Sequence, residues 1–478
     1  MVFISISFVI FFLVFFFFYW FVFGRNLRSQ NLFVLAGSYL FYAWWDWRFL
    51  SLLIGSSLLS FLLGIHIEKA TNERRRRILL YLGLLQVLGA LLIFKYLDFF
   101  IVSFVDAFSI FDITTDIRTI NLILPVGISF YTFRIISYLL DINSGKIKPT
   151  ADWVVFFSYV SFFPSLISGP IDRAQALIPQ LEKKRTFDYD QATDGMRQIL
   201  WGLFKKIVVA DNCVNVVDEI FDNYLNVPAS SLLLGAFIYT IQVYADFSGY
   251  SDMAIGFSRL IGFNITRNFN FPFFSQNIAE YWRSWHISLT TWMTEYIFTP
   301  LSFSFRSYGR TGLILAILLN FILVGIWHGA NWTFVLFGLL HGCYFIPLIL
   351  RGTINTSKMT AKSKLLPSLV ELRNISVTFA LVVLTNIIFR AESIFQAFSY
   401  FSRMFSPSLF AGTYTYPRLL LIIALFLSVE WLGRGQQYAI AGLALSWPRT
   451  ARWAFYTVVI MLIFVIGGKQ HQFIYFQF

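Results

Sequence analysis

"FILVGIWHGANWTFVLFGLLHG", residues 321–342, holds two of the chain's five histidines. It lies in a run from Thr311 to Leu350 that contains no Asp, Glu, Lys or Arg. Crossing the hydrocarbon core of a bilayer takes about 20 apolar residues, so this run is long enough to cross twice. Arg310 and Arg351 bracket it. With both ends on one face, the run reads as a hairpin of two membrane helices broken near Gly325–Asn331. His328 then stands well past the first leaflet, about 27 Å of helix from Arg310. An ionisable side chain at such depth is a functional candidate by default. Burial keeps an imidazole neutral, the form that can take a proton from a hydroxyl.

The whole chain has the same character. Of 478 residues, 57% are hydrophobic and 13% charged, and 57 are phenylalanine. A soluble domain carries about twice that charge. Apolar segments at 4–23, 49–66, 78–97, 311–327, 332–350, 375–389, 417–433 and 453–467 indicate an all-α, polytopic membrane protein with about ten spans. Residues 1–23 have no basic stretch after Met1, and "FFFFYWFVFG" offers no small-residue cleavage site, so they read as a retained first span. The net charge of +12 sits in short inter-span loops, where it sets orientation and does not point to nucleic acid. Cys213 and Cys343 are too few for a disulfide framework or a metal site. The polar stretches 171–198 and 351–374 read as cytoplasmic loops, which leaves one membrane domain over residues 1–478.

Two further regions look irregular at membrane depth. "FFPSLISGPIDR", 162–173, cannot be one helix across Pro164, Gly169 and Pro170. Basic residues on both flanks make it a re-entrant segment or, alternatively, a kinked span. Such backbone is tolerated only when buried in protein or lining a cavity. "YADFSGYSDMAIGFSRLIGF", 244–263, carries Asp246 and Asp252 in an apolar run. These carboxylates either face a cavity or are structural, paired with Arg or capping a helix break near Gly249.

In "EYWRSWHISLTTWMTEY", 280–296, helical spacing places Trp282, Trp285, Leu289, Trp292 and Tyr296 on one stripe. Arg283, His286, Thr290 and Thr294 form a second, polar stripe. The segment is either an interfacial helix or the wall of a buried chamber. His341 reads as a packed histidine, and His66 and His471 as bland. Motifs for a serine nucleophile elbow, a phosphate-cradling loop and a zinc protease are all missing. A hydroxyl-activating histidine without a protein nucleophile remains.

The same residues carry a resemblance. "LPVGISFYTFRIISYLLD" (124–141), "GPIDRAQALIPQL" (169–181), "GLFKKIVVADN" (202–212) and the stretch 244–273 resemble the membrane-bound O-acyltransferase family, in its alginate O-acetyltransferase-like bacterial branch. "YWRSWHISLTTW" (281–292) and "GIWHGANWTFVLFGLLHG" (325–342) continue the match. It is strongest over 1–350; residues 351–478 add further C-terminal spans. The resemblance implies a ring of about ten or eleven transmembrane helices, with re-entrant and horizontal helices around a central tunnel. It implies that His328 is the catalytic histidine and His286 the second. Arg283, Trp285, Thr290, Trp327, Asn331, Asp246, Ser248, Tyr250 and Asp252 are then tunnel-lining candidates. The sequence departs from the branch at 294–310, where a glycine pair is missing, and at Arg134, where Gln is expected.

The function so implied is transfer of an acetyl group across the membrane from a cytoplasmic thioester, with acetyl-CoA as co-substrate and no bound cofactor or metal. The acceptor is a hydroxyl of an extracytoplasmic polysaccharide or lipid-linked glycan, or of a periplasmic or membrane-anchored acetyltransferase acting as carrier. Membrane lipids are partners and nucleic acid is not. D-alanyl transfer from a carrier-protein thioester toward teichoic acids is the alternative within the family. A secondary transporter is the alternative outside it, but transporters pair their broken segments, and the 162–173 break has no second copy. The expected location is the bacterial cytoplasmic membrane, with the N-terminus outside, loops 24–30, 68–77, 171–195 and 351–372 inside, and 106–118 outside. This orientation is tested by cysteine labelling in a Cys-free background. Arg75→Cys should react with an impermeant reagent only after the membrane is opened; labelling in intact cells would reverse the assignment.

Overall fold

The computed structural model describes residues 1–109, 111, 118–354, 365–412 and 414–474. Among these every regular element is a helix. Seven helices are long and apolar enough to cross a membrane: Arg48–Lys69, Glu73–Ser109, Ala229–Leu260, Arg306–His328, Trp332–Leu350, Leu369–Arg390 and Arg449–Ile466. The apolar segment Ile6–Val22 is shorter, and Leu27–Asp46 and Pro417–Gly433 add two more long helices. The apolar segments read from the sequence coincide with these helices. The expected loops 106–118 and 351–372 lie partly outside the described residues.

The chain gathers into two compact groups, residues 1–195 with 257–266 and residues 196–256 with 267–478. The first is centred on helix Ile128–Asn143, which is buried along 128–139. Beside it runs the segment expected to break. Helix Trp153–Ser161 starts at Asp152, whose carboxylate accepts from Val154 N at 2.8 Å. It stops at Phe162, and Pro164, with no N–H to donate, sits in a separate four-residue helix, Phe163–Leu166. Residues 154–172 are buried throughout, so the carbonyls freed by the break cannot turn to water. Fully buried Arg134 supplies their donors. Its guanidinium bonds to the carbonyls of Tyr159 at 3.3 Å, Val160 at 3.1 Å and Ser165 at 3.0 Å, and to the Ser165 hydroxyl. Asp172 balances its charge and accepts from Thr266 N at 2.8 Å. The broken, protein-buried segment expected at 162–173 is therefore present, held by Arg134.

The second group contains the charge-free hairpin, helices Gly309–His328 and Trp332–Leu350. Its two helices touch backbone to backbone. A Cβ on Gly325 would lie 2.1 Å from the Phe334 carbonyl, and one on Gly338 would lie 2.1 Å from that of Phe321. Small residues at such crossings let membrane helices approach closely.

Two expectations are corrected here. Residues 244–263 are not irregular: they belong, up to Leu260, to the unbroken 32-residue helix Ala229–Leu260. Gly249 marks no break. It lies against Gly202, whose carbonyl oxygen would be 2.8 Å from a Gly249 Cβ. Nor is 280–296 one helix. It divides into Ile278–Ser284 and Ile287–Met293 around His286, which adopts a left-handed backbone at φ 43°. Helical spacing therefore does not carry across His286, and the polar stripe dissolves. Arg283 and Thr294 are exposed, whereas His286 is buried.

Removing one partner of a buried charge network costs about 3–5 kcal/mol. Arg134→Ala should therefore lower the thermal midpoint in detergent sharply and open 159–172 to proteolysis. An unchanged midpoint would show that the carbonyls find other donors.

Candidate functional site

His286 is placed by its own kink. Residues 268–270 run beside it and bond to both flanks: Asn270 N donates to Ser284 O at 2.9 Å, and Ile287 N to Asn268 O at 2.8 Å. The Asn268 side chain completes the clamp. Its Oδ1 lies 3.3 Å from His286 Nδ1 and accepts from the Ser288 hydroxyl at 2.6 Å. Its amide nitrogen donates to Ser251 Oγ at 3.1 Å. His286 is completely buried, with the Phe247 ring edge-on at 4.6 Å. A left-handed backbone at a residue other than glycine persists only where the surroundings over-determine it, and these contacts do so.

His328 is the last residue of the first hairpin helix. Its ring is buried among Trp327 at 5.0 Å, Phe389 at 5.1 Å and Phe337 at 5.8 Å. Trp327 also packs against His286, centroid to centroid at 5.6 Å. One buried indole therefore contacts both candidate histidines, though 42 positions separate them in the sequence.

The other predicted residues divide. Trp285 is buried against Phe269 and Tyr281 beside the kink. The Thr290 hydroxyl donates to Trp285 O at 3.0 Å and so braces the kink. Arg283 points elsewhere, donating to Ile354 O at 2.7 Å. Asn331 is the N-cap of the second hairpin helix, accepting from Thr333 N at 3.0 Å and donating to Glu392 O at 2.9 Å. Ser248 is buried, and its hydroxyl has no protein partner among the described residues. Tyr250 stacks on Phe473 at 4.7 Å. His341 is packed as expected, accepting from Trp282 Nε1 at 3.2 Å.

The intramembrane carboxylates are paired, with lysine where arginine was the expected partner. Asp252 meets Lys205 at 2.5 Å and accepts from Gln198 at 2.7 Å. Lys206 lies between Asp246 at 2.8 Å and Asp211 at 2.9 Å. A buried ammonium is tolerated when opposite charges surround it, so these groups read as a scaffold beside the histidines. Asn268, Phe247 and Glu430 were not singled out in the sequence. Glu430 accepts from Tyr244 Oη at 2.6 Å and Trp201 Nε1 at 3.0 Å. A lone Glu in the apolar run 417–433 was the available signal for it.

Chemically, the site offers two imidazoles in an aromatic, water-poor wall. An imidazole there can hold and return a proton within one catalytic cycle.

Comparison with known proteins identifies the family. Residues 150–383 match the model of the membrane-bound O-acyltransferase family. The chain is 36% identical to the probable alginate O-acetylase AlgI of Pseudomonas aeruginosa over 85% of its own length and 75% of that protein. It is 33% identical to the protein of the same description from Pseudomonas putida over the full length of both. It is 34% identical to the peptidoglycan O-acetyltransferase of Helicobacter pylori over 67% of this chain and 64% of that one. With two motif histidines gathered on one indole inside a multi-pass helical protein, and with relatives of this similarity, the chain belongs to the membrane-bound O-acyltransferase family and is an O-acyltransferase.

Proposed function

We propose that this protein transfers an acetyl group from a cytoplasmic thioester, acetyl-CoA, to a hydroxyl on the far side of the bacterial cytoplasmic membrane, with its N-terminus outside. The acceptor is an envelope polysaccharide or lipid-linked glycan, or a periplasmic or membrane-anchored acetyltransferase that carries the group onward. The observation that carries this reading is the contact of Trp327 with both His286 and His328. The acetyl identity is supported by the O-acetyl activities named for the relatives.

In this reading His328 is the general base. Its imidazole takes the hydrogen of the accepting hydroxyl as the oxygen bonds to the thioester carbonyl carbon. The carbon–sulfur bond then breaks, and the imidazolium returns the proton to the departing thiolate. His286 orients or polarises one of the reactants. Holding both in place supplies much of the rate, since reactions between well-oriented groups gain several kcal/mol over encounters in solution.

Purified protein in proteoliposomes, given labelled acetyl-CoA and a hydroxylated oligosaccharide, should form an ester. Labelling only from a D-alanyl-charged carrier protein would move the substrate class, and solute uptake without any covalent product would favour transport. His328→Ala should abolish transfer with normal insertion; full activity there would remove its role. His286→Ala should be severely impaired, though less completely. Thr290→Ala should be mild, because a single brace of this kind contributes on the order of 1 kcal/mol.

Asn268→Ala should behave much like His286→Ala. Releasing the kink misplaces the imidazole, and a misplacement of about 1 Å can cost roughly 100-fold. A near-normal rate in Asn268→Ala would show that the helix ends alone hold His286.

A further inference from the structure

We infer that the C-terminal segment 467–474 is a strap that positions His286, with Phe473 as its working residue. This rests on the reading of His286 as part of the site.

Beyond helix Arg449–Ile466, residues 467–474 stay within the second group. Gly467 and Gly468 run against residues 207–212: Gly468 N donates to Ile207 O at 3.3 Å, and Asn212 Nδ2 to Ile466 O at 3.0 Å. A Cβ on Gly468 would be 3.2 Å from the Asp211 backbone, so the strap runs close against it. The strap then ends in a socket of buried charge. Lys206 holds Asp211 and Asp246 on its two sides. Asp246 spends a carboxylate oxygen on the strap itself, accepting from Ile474 N at 2.8 Å, and the His471 main chain approaches Asp211. Phe473 and Ile474 are both buried. An irregular backbone buried in a membrane protein needs partners for its N–H groups, and Asp246 meets that need at Ile474.

The Phe473 ring lies against helix Ala229–Leu260. It stacks on Tyr250 at 4.7 Å and meets Phe247 at 6.0 Å. Phe247 is the residue whose ring sits edge-on to His286 at 4.6 Å. The strap, Phe247 and His286 thus form one line of ring contacts. Phe473 acts through Phe247 and is a positioning residue. The pair Asp246–Lys206 acts a step further back, by holding Ile474, the residue after Phe473. This gives the buried carboxylate Asp246 a use that neither ion pairing alone nor a transport role supplies. It also gives the last stretch of the described chain a place in the chemistry.

The test uses the full-length protein in detergent, with two readouts. The first is carbethoxylation of His286, followed by mass spectrometry, which needs no catalysis. The second is the split between kcat and the donor KM. In the wild type His286 is protected. In Phe473→Ala, Phe247 loses its contact with the strap while keeping that with Phe269 at 5.0 Å; His286 should become labelled, and kcat should fall roughly 10- to 100-fold, the scale of a small misplacement. The donor KM should stay within about twofold, as for interactions made only in the transition state. Phe473→Leu, which retains most of the bulk, should restore protection and most of the rate. Ile474→Pro, which removes the N–H given to Asp246, should reproduce the loss, whereas Ile474→Ala, which keeps it, should not. Val459→Ala, buried in the preceding helix, serves as a control for general destabilisation and should leave His286 protected. If Phe473→Ala is not recovered from membranes, Phe473→Leu and the Ile474 pair carry the same comparison. Wild-type protection of His286 in Phe473→Ala and Ile474→Pro would overturn the proposal. Labelling of His286 with an unchanged kcat would uphold the strap and instead remove His286 from the proposed chemistry.

Discussion

In hydrocarbon, a helix that stops must hand its freed N–H and C=O groups to another part of the protein, because each unpaired group costs several kcal/mol. This constraint is met at four places where the described chain departs from plain helices. The break at 162–173 is answered by the Arg134 guanidinium and Asp172. The kink at His286 is answered by the backbone and side chain of Asn268. The hairpin turn is closed by Asn331, and the strap at 467–474 by Asp246 and the backbone of Ile207. Each answer uses a polar side chain that an apolar sequence would otherwise exclude. Each of these four breaks is thus marked by a polar residue, and two of them, the kink and the hairpin turn, carry the candidate catalytic histidines His286 and His328.

That link between breaks and polar residues explains what was legible in the sequence. The hairpin could be read directly, because a charge-free run bounded by arginines fixes both its length and its turn. His328 could be read with it, as the ionisable residue farthest from either bracket. The spans could be read wherever hydrophobicity was unbroken. Helix Ala229–Leu260 was obscured because Asp246, Ser248, Gly249 and Asp252 lower its hydropathy. Its two carboxylates pair with Lys205 and Lys206, which lie some forty positions earlier in the chain. No local pattern reports such a pairing.

The polar stripe at 280–296 failed for a different reason. Periodicity arguments assume an unbroken 3.6-residue repeat, and His286 breaks it with a left-handed backbone. The stripe grouped His286, which is buried, with Arg283 and Thr294, which are exposed. Conflict between a local pattern and the folded backbone is expected at functional sites, where strain is held in place by surroundings that the pattern cannot see. Here the surroundings are Asn268 and Phe247, neither of which stood out in the sequence.

The charged scaffold raises a separate point. A buried ion pair adds little net stability, because the cost of desolvating both partners offsets most of their attraction. Apolar residues in place of Lys206, Asp211 and Asp246 could pack at least as well. They would not specify where the strap ends: apolar surface accepts a sliding segment, whereas a carboxylate accepts a hydrogen bond at one place. The Lys206 network is thus better understood as fixing a register than as adding stability. Such a register matters only if something downstream is sensitive to position, and the ring contacts running from Phe473 through Phe247 lead to His286, a completely buried imidazole on a left-handed backbone.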